Sequence, residues 1–373
     1  MSTSAAARSN QFEVPKTMKA WVLGGPDELK LVEKPVPEPG KAEVLVRVDA
    51  IAVCATDIEI MKHGLPAIVE GQSPFNRNFT IGHEYMGTIV KLGASVDEFE
   101  IGDRIAVEVH AGCGRCARCR EGMYTSCLNY GFPSKGHRAN GFTTDGGFAQ
   151  YAVNSINTMV HVPDDMPDEE ATLIVTAGTA MYGLDVMGGL IAGEGVVVTG
   201  PGPIGLSVAM SARAQGVSSI VITGLEADAQ RLALAREMGF KTVVANKGDW
   251  IAQVRALLPP DGADVVFDAC GMVDSPRELI RRGGELILIG WPARDITSTE
   301  LRAFFFHGIK TINSRVRTPE TWRRAIALVD SGAVDLRPMV THRYDIAHGI
   351  EAFELLRARK GVKALIIPNQ SAY

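Results

Sequence analysis

The sequence predicts an α/β protein with a β-rich first domain and a second domain built on a doubly wound parallel sheet. Short apolar runs that alternate with polar residues, such as 43–54, occupy the first part of the chain. From Asp168 onward, helical patterns alternate with short buried-strand patterns, which is typical of βαβ units. The length of 373 residues also suits two domains, at roughly 100–200 residues each.

In the first part, glycine and proline clusters divide the chain into short strands. Residues 18–50 contain turns at 24–26 and 35–40, and the strand at 43–54 ends at Cys54. Two further strands are predicted at 79–93 and 101–112, on either side of a turn near 96–99. This part is therefore expected to be all-β, with a cysteine-rich loop attached to it.

In the second part, apolar runs of strand length are followed by stretches of helix-forming residues. Gly239 is the predicted stop of one helix, because glycine adopts the left-handed conformation that ends many helices. The predicted elements are a helix at 168–187, a strand at 195–200, a helix at 204–215, a strand at 218–224, a helix at 229–240, strands at 263–271 and 283–291, and two helices with a final strand within 325–368.

Composition and charge exclude several classes of partner. The net charge of −5 gives no electrostatic reason to expect nucleic acid or an anionic membrane surface. The first 17 residues are polar and small, so we expect no secretory signal, and no run approaches the ~18 apolar residues of a membrane span. We therefore expect a cytoplasmic protein, and a reducing compartment favours metal ligation over disulfides for clustered cysteines.

Four of the six cysteines lie within fifteen residues, in the pattern C-x2-C-x2-C-x7-C. Four thiolates suit a tetrahedral metal, and a closed set of four sulfur ligands is typical of structural zinc because no position remains for a substrate. The predicted ligands are Cys113, Cys116, Cys119 and Cys127. This cluster is expected to hold a loop in place and to perform no chemistry.

A glycine turn follows the predicted strand at 195–200. Gly200, Gly202 and Gly205 fit the pattern G-x-G-x-x-G, and the turn opens a predicted helix, which is the context that gives this motif its meaning. The first glycine permits a tight turn, the second lets the backbone approach a pyrophosphate, and the third lets helix pack on strand. A dinucleotide is expected at the free N–H groups of the helix N-terminus.

The choice between NAD and NADP depends on the end of the next strand. An acidic residue that binds the ribose hydroxyls normally stands there, but this chain has Gly224, with Glu226 two residues later. The lack of an acidic residue at the end of the strand favours tolerance of the 2′-phosphate of NADP. Glu226, however, would repel that phosphate, and the first basic residue after the strand is Arg231. The two signals disagree, and the nearby carboxylate favours NAD slightly.

Several motifs occur together in one order along the chain. They are Cys54-Ala-Thr-Asp57, Gly82-His83-Glu84, the four-cysteine segment, Asp145-Gly-Gly-Phe-Ala149, and the glycine turn with Pro203 and Ile204 inside it. With them the chain resembles the zinc-dependent medium-chain dehydrogenase/reductase family, which includes alcohol, sorbitol and threonine dehydrogenases. The resemblance covers residues 18–368.

The resemblance implies a domain organisation and an activity. A GroES-like catalytic domain would comprise 1–178 and 315–373, with a structural zinc lobe near 108–130, and a Rossmann domain would comprise 179–314. The activity would be hydride transfer between NAD or NADP and a secondary alcohol, a polyol or the corresponding ketone, with zinc polarising the substrate oxygen. Members of the family also form dimers or tetramers, so a homo-oligomer is expected.

The resemblance also implies roles for individual residues. Cys54 and His83 match zinc ligands, and Glu84 matches a carboxylate that approaches or ligates the metal in some members. Thr56 stands where the family binds the alcohol hydroxyl, and Glu59 replaces the usual relay histidine. In addition, Asp57 would orient His83, and Ile204 would support the nicotinamide ring with Pro203 beside it.

The sequence departs from the family at the third zinc ligand. Counting back from the glycine turn places Thr176 at the position of the usual Cys or Glu, and a threonine hydroxyl is a poor zinc ligand. Three arrangements remain open: zinc held by Cys54, His83, Glu84 and water; weakly bound zinc; or no catalytic zinc.

The leading hypothesis for the function is an alcohol or polyol dehydrogenase. The alternatives are a zinc-free reductase of an activated double bond or imine, and a nucleotide-binding protein without catalysis.

Three smaller expectations concern residues outside these motifs. Cys270 is interpreted as a small buried hydrophobe. The apolar row at 301–310 is interpreted as core and subunit interface. The loop histidines His63, His110 and His137 are interpreted as surface residues.

Overall fold

The computed structural model describes residues 12–64, 78–271, 275–291, 295–314 and 317–369. Contacts divide the chain into two compact units: Met1–Val175 with Val340–Ala358 and Lys363–Tyr373, and Thr176–Met339 with Arg359–Val362. The sequence-based boundaries placed everything from 315 onward in the first domain, whereas this division gives the stretch up to Met339 to the second unit.

Strands in the described residues are numbered here in chain order. They are β1 (Thr17–Gly25), β2 (Glu28–Pro35), β3 (Glu43–Ala52), β4 (Tyr85–Leu92), β5 (Arg104–Val107), β6 (Tyr151–Ser155), β7 (Met159–His161), β8 (Gly195–Thr199), β9 (Ser219–Gly224), β10 (Lys241–Val244), β11 (Ala263–Asp268), β12 (Ile280–Leu288), β13 (Lys310–Asn313), β14 (Val340–Asp345) and β15 (Lys363–Ile367).

The α-helices of the same residues are numbered likewise. They are α1 (Ala55–His63), α2 (Ala117–Arg120), α3 (Asp168–Asp185), α4 (Pro203–Ala214), α5 (Ala229–Glu237), α6 (Trp250–Arg255), α7 (Ser298–His307), α8 (Pro319–Asp330) and α9 (Gly349–Arg357). None of these helices is long and apolar enough to cross a bilayer.

The first unit is built on a seven-stranded sheet in which β3 is central. The strand order is β14-β15-β3-β4-β5-β7, with β6 also paired to β3, and β1 and β2 form a separate antiparallel pair. Since β3 is antiparallel to both β4 and β15, its end lies beside the start of each. Cys54, His83 and Lys363 stand at these strand ends and are therefore brought together by the sheet.

The second unit confirms the predicted doubly wound sheet. Its six strands follow the order β10-β9-β8-β11-β12-β13, and all neighbours are parallel. In β8, Val196, Val197 and Val198 have no exposed surface, as expected for a strand covered on both faces. Because parallel strands end at the same edge, the glycine turn after β8 and the end of β9 lie on one edge of the sheet.

Two of the smaller expectations, those for Cys270 and His137, need correction. Cys270 is exposed rather than buried, because β11 ends at Asp268 and the chain has left the sheet. In the row at 301–310, Phe304 of α7 is buried in the core as expected, while Phe305 and Phe306 are 81% and 73% exposed; the expected subunit interface stays a prediction. His137 is completely buried, with its ring against that of Tyr130.

Candidate active site

The structure brings the four cysteines of the lobe together. Their sulfur atoms lie within 4.8 Å of one another, and all six cysteines are free of disulfides. The Sγ of Cys116 is 3.5 Å from that of Cys119 and 4.0 Å from that of Cys127. Sulfur atoms at the corners of a zinc tetrahedron are separated by about 3.8 Å, given Zn–S bonds of ~2.3 Å. The residues present therefore fit a closed zinc site.

Hydrogen bonds around the sulfurs favour the thiolate form that zinc requires. The backbone N–H of Asn129 donates to Cys127, and its side-chain amide donates to Cys113 at 3.2 Å. Burial opposes ionisation of Cys113, but the N–H of Arg115 and the Asn129 amide outweigh it and lower its pKa to about 6. Burial and the neighbouring Cys116 raise the pKa of Cys119 to about 12, which indicates that a cation is needed to hold all four sulfurs ionised.

A second cluster of possible metal ligands consists of Cys54, His83 and Glu84. Their ligand atoms also lie within 4.8 Å of one another, and His83 and Glu84 are each 6% exposed. Gly82 makes this approach possible, because its φ is +105° and a Cβ there would lie 2.6 Å from the Phe148 ring. One sulfur, one imidazole nitrogen and one carboxylate oxygen form a donor set that fits zinc with a position left for substrate.

Asp57 holds the first two of these residues in place. It is fully buried, and one carboxylate oxygen lies 3.0 Å from Nδ1 of His83 while the other accepts the backbone N–H of Cys54 at 2.9 Å. With Nδ1 bonded to Asp57, Nε2 of His83 is the nitrogen available to a metal. Burial opposes charge on His83, but Asp57 and Cys54 outweigh it and raise the pKa of His83 well above its usual value.

Lys363 is a residue of this cluster that the sequence did not indicate. It stands at the start of β15, its side chain is 2% exposed, and its Nζ donates to Oε2 of Glu84. Burial raises the pKa of a carboxyl, but Lys363 outweighs it and lowers the pKa of Glu84. Burial likewise opposes charge on Lys363, and Glu84 with Cys54 raises its pKa in spite of it. One buried cation thus partly balances the negative charge of the cluster.

Thr56 and Glu59 lie on the exposed side of α1. The Thr56 hydroxyl is 3.7 Å from the Cys54 sulfur, so it borders the cluster as expected. Glu59 is one turn further on; its side chain is 64% exposed and lies 3.5 Å from Nε2 of His63. Glu59 is therefore paired with an imidazole four residues away, an arrangement that the i, i+4 spacing permits.

Thr176 lies within α3 and is 2% exposed. Its hydroxyl has no hydrogen-bond partner among the residues that the structure describes. The neutral oxygen of Thr176 does not supply the charge that a Cys or Glu would bring to zinc.

The glycine turn has the geometry that a pyrophosphate site requires. Gly200 has a φ of +96°, and a Cβ on Gly205 would lie 2.0 Å from the Gly200 carbonyl oxygen. Gly202, by contrast, faces open space, with no atom within 4 Å of the position of a Cβ. Gly202 also caps α4, whose first residues are Pro203 and Ile204, and it has no side chain to occupy the free N–H groups. The helix N-terminus is thus open to an anion.

The acidic and basic side chains that follow β9 are not equally available to the ribose of a nucleotide. A Cβ on Gly224 would lie 2.8 Å from the ring of Pro201, so glycine is required there. The Glu226 side chain is 70% exposed and lies 3.6 Å from Lys247. Arg231, in contrast, donates to the carbonyl of Gly361 and lies 4.0 Å from Asp228. Arg231 is therefore already engaged by groups of its own unit.

Comparisons with known proteins agree with both parts of the chain. Residues 40–164 match the alcohol dehydrogenase GroES-like domain, and residues 203–331 match the zinc-binding dehydrogenase domain. The chain is 31% identical to a sorbitol dehydrogenase of Halalkalibacterium halodurans, covering 94% of this chain and 99% of that protein. It is 33% identical to an L-threonine 3-dehydrogenase of Sinorhizobium fredii, covering 94% and 98%.

Solved structures show the same architecture. A zinc-binding dehydrogenase of Sinorhizobium meliloti 1021 bound to NADP is 27% identical, with a TM-score of 0.81 over 95% of this chain and 100% of that one. Galactitol-1-phosphate dehydrogenase of Escherichia coli, at 24% identity and a TM-score of 0.82 over 94% and 100%, supports the fold. The predicted pairing of a GroES-like domain with a Rossmann domain is confirmed, and the chain belongs to the zinc-dependent medium-chain dehydrogenase family.

Proposed function

We propose that this enzyme oxidises a secondary alcohol or polyol with a nicotinamide nucleotide, and that Cys54, His83 and Glu84 form its catalytic zinc site. The observation that carries the proposal is the convergence of a sulfur, an imidazole and a carboxylate within 4.8 Å, with the imidazole fixed by Asp57. Family membership supports an NAD(P)-dependent oxidoreductase of the alcohol and polyol type, and the comparisons give no support to the zinc-free reductase or to a non-catalytic relative.

In this site the chain's own residues hold and orient the reactants. Zinc, when bound, would act as a Lewis acid toward the substrate oxygen and lower the pKa of its hydroxyl. Asp57 keeps His83 in the tautomer that presents Nε2, while Lys363 holds Oε2 of Glu84 and leaves the other carboxylate oxygen to the metal. A bound nicotinamide nucleotide would supply the hydride acceptor, and the glycine turn would hold its pyrophosphate.

The proton of the alcohol needs a route to solvent. Thr56 borders Cys54 and is exposed, which supports a role in which its hydroxyl accepts a proton from the substrate and passes one on. Glu59 and its partner His63 lie on the exposed face of the same helix. We propose that Glu59 serves where other members use a histidine, with His63 assisting it.

Nucleotide preference is proposed from the charges beyond β9. The exposed Glu226 would repel a 2′-phosphate, and Arg231 is engaged by Gly361 and Asp228. Lys247, beside Glu226, is the competing feature because it could neutralise that carboxylate. We propose NAD as the preferred nucleotide on this balance.

We also propose that the enzyme is a cytoplasmic homodimer or homotetramer, with no nucleic acid or membrane partner. The exposed Phe305 and Phe306 of α7 support self-association, because large exposed apolar side chains of neighbouring residues are typical of interfaces. The acidic net charge of −5 supports the absence of a nucleic acid partner.

Zinc content tests the proposed site directly. Purified wild type should hold two zinc ions per chain by mass spectrometry, and Cys54→Ser should hold one. Activity on polyols and secondary alcohols should fall by at least about a thousand-fold in Cys54→Ser, the magnitude of losing a metal that stabilises developing charge. Cys270→Ser is the matched control, since Cys270 is exposed and belongs to neither cluster.

One zinc in both wild type and Cys54→Ser would contradict the proposal. That result would mean that the change at Thr176 had emptied the active site. A zinc-free reductase would then become the leading hypothesis.

A further inference from the structure

The second unit contains a basic hollow at the edge of its sheet opposite the glycine turn. The hollow has a volume of about 810 Å³, and four arginines line it: Arg255, Arg277, Arg281 and Arg282. Arg281 and Arg282 are the second and third residues of β12, whereas the glycine turn follows the last residue of β8. Because β8, β11 and β12 are parallel, these two places are separated by the length of a strand, roughly 15–20 Å.

Two of the four guanidinium groups are held in place by hydrogen bonds. Asp264 accepts the backbone N–H of Gly195 at 2.7 Å and the Nε–H of Arg281 at 2.6 Å, which ties Arg281 to the sheet. Arg255 donates from Nε and Nη2 to the carbonyl oxygen of Glu278, at 3.0 and 2.6 Å. Each keeps further N–H groups, so a ligand would meet donors that are already ordered.

The basic groups of the hollow outnumber the carboxylates beside them. Arg277 lies 3.6 Å from Glu278, and the other acidic residue of the lining is Asp261. The side chain of Arg282 makes no hydrogen bond or ion pair within the described part of the chain. The hollow thus places four guanidinium groups against three carboxylates, those of Asp261 and Glu278 in the lining and that of Asp264 paired with Arg281, in a chain whose net charge is −5.

The helix termini do not explain this surplus. Arg255 and His307 are the last residues of α6 and α7, where a basic side chain is favoured by the negative end of the helix dipole. Arg281 and Arg282 belong to no helix and gain nothing from that effect, whereas Arg277 lies in the last turn of a short 3-10 helix, Ser275–Glu278. The pairs Arg277–Glu278 and Arg281–Asp264 each engage part of one guanidinium group, and Arg282 remains without a structural reason.

We propose that the basic hollow binds a small molecule that carries two or more phosphate groups. Guanidinium groups match phosphate oxygens through paired N–H donors, and the volume lies within the ~300–1,000 Å³ of small-molecule sites. A single negative charge would gain little against side chains that are partly exposed to water, so several charges on one ligand are required. The site lies away from the glycine turn and is separate from the proposed dehydrogenase reaction.

The test is a calorimetric titration of the full-length, zinc-loaded protein with tripolyphosphate in about 50 mM salt. Saturating NADH is present throughout, because a polyphosphate would otherwise compete for the glycine turn. Wild type is expected to bind one tripolyphosphate per chain. Arg282→Glu and Arg277→Glu should each weaken binding by at least about ten-fold. Arg302→Glu, an exposed change of equal charge on α7 that does not line the hollow, should stay within about two-fold.

Several outcomes would overturn the proposal. They are no binding by wild type, equal weakening in all three variants, and binding of a poly-glutamate peptide where tripolyphosphate fails. Arg282→Gln and the thermal melting of each variant guard against loss of folding. Turnover and zinc content, measured without tripolyphosphate, report on the dehydrogenase site independently.

Discussion

The two candidate metal clusters of the first unit differ in how their ligands are assembled. The lobe cluster takes four identical ligands, Cys113–Cys127, from one stretch of fifteen residues. The second cluster takes three different ligands from two strand ends and adds a buried cation from a third, Lys363. A closed site of like ligands is fixed by local spacing, whereas a site open to substrate depends on the sheet. A substitution in one cluster should therefore have a different effect on zinc content, stability and activity from a substitution in the other.

The largest effect on stability is expected from breaking the closed cluster. Cys116→Ser removes a ligand whose sulfur lies 3.5–4.0 Å from two others. The variant should lose one zinc per chain and about 2–5 kcal/mol of unfolding free energy, since metal binding contributes directly to folding of such a lobe. Chemical denaturation with zinc analysis measures both. If Cys116→Ser keeps its zinc content and stability, the lobe is not a metal site; Cys270→Ser should match wild type in both.

The sequence predicted the closed cluster because all its information is local. The spacing of four cysteines, Cys113, Cys116, Cys119 and Cys127, within fifteen residues was enough to indicate a tetrahedral site. The glycine turn was predicted for the same reason, since strand, turn and helix are contiguous. The GroES-like and Rossmann domains followed from ordered motifs, and the comparisons bear out that assignment.

The second cluster could not be predicted in the same way. Cys54 and His83 are weak signals alone, and only the resemblance identified them. Lys363 lies 279 residues beyond Glu84, and nothing in its local sequence indicates that its side chain is buried. Only the pairing of β15 with β3 brings it to the site. Sequence patterns do not reveal contacts between residues that are far apart in the chain and are brought together only by the pairing of strands.

The next largest effect is expected at Lys363. Lys363→Met would leave Glu84 buried without its cation, and we expect a loss of about 3 kcal/mol in unfolding free energy, because removing one partner of a buried pair exposes the other to its full desolvation penalty. Glu84 has a lowered pKa in the folded state, so the pair stabilises the protein above the ordinary carboxyl pKa. That contribution is lost as the pH falls through the lowered value.

Lys363→Arg is the control because it retains the charge. It should preserve more of the stability at neutral pH, and the acid limb of its stability profile should lie closer to that of wild type. Denaturation profiles of the three proteins from pH 8 down to about pH 2.5, well below the ordinary carboxyl pKa of ~4.3, would show this. Equal stability of Lys363→Met and wild type would mean that Glu84 is compensated by another group.

A row of aromatic and imidazole rings in the first unit extends from the cluster of Cys54, His83 and Glu84, called here the open cluster, toward the four-cysteine lobe. Phe142 lies 5.0 Å from the ring of His83 and 5.5 Å from that of His110, and Tyr130 continues the row to His137 at 4.4 Å. His137 is fully buried, and its Nε2 has no hydrogen-bond partner among the described residues. A charge on His137 would therefore be costly.

Burial lowers the pKa of His137 to about 4. A base with a lowered pKa stabilises the fold fully above its ordinary pKa of ~6.5, and this contribution is lost as the pH falls toward the lowered value. Between pH 7.5 and 5, His137 should account for a loss of about 2 kcal/mol in unfolding free energy. His137→Gln should show a correspondingly smaller loss in urea denaturation. His63→Gln, whose side chain is 74% exposed, should behave like wild type.

If His137→Gln and wild type lose the same stability between pH 7.5 and 5, His137 does not titrate with a lowered pKa. The pH dependence would then belong to other groups, such as the zinc ligands of the lobe. The row of rings would in that case have no role in the acid sensitivity of the first unit.

The smallest effect is expected at Glu59, the one proposed catalytic residue that the open cluster does not contact directly. Glu59→Gln keeps the shape of the side chain but cannot carry a proton, so kcat should fall by about ten-fold. The loss should shrink as the pH rises, because hydroxide and buffer can then remove the proton. Zinc content should stay unchanged, since Glu59 is 64% exposed and pairs with His63.

Lys62→Gln is the matched control, because Lys62 lies 3.9 Å from Glu59 on the same helix and has no proposed role in proton transfer. The pH profile separates a relay from a structural role, since a structural defect would lower kcat equally at all pH values. A uniform loss would therefore reduce Glu59 to a solvated residue of α1. The Thr56 hydroxyl would then release its proton directly to water, and the open cluster would need no partner beyond the residues that contact it.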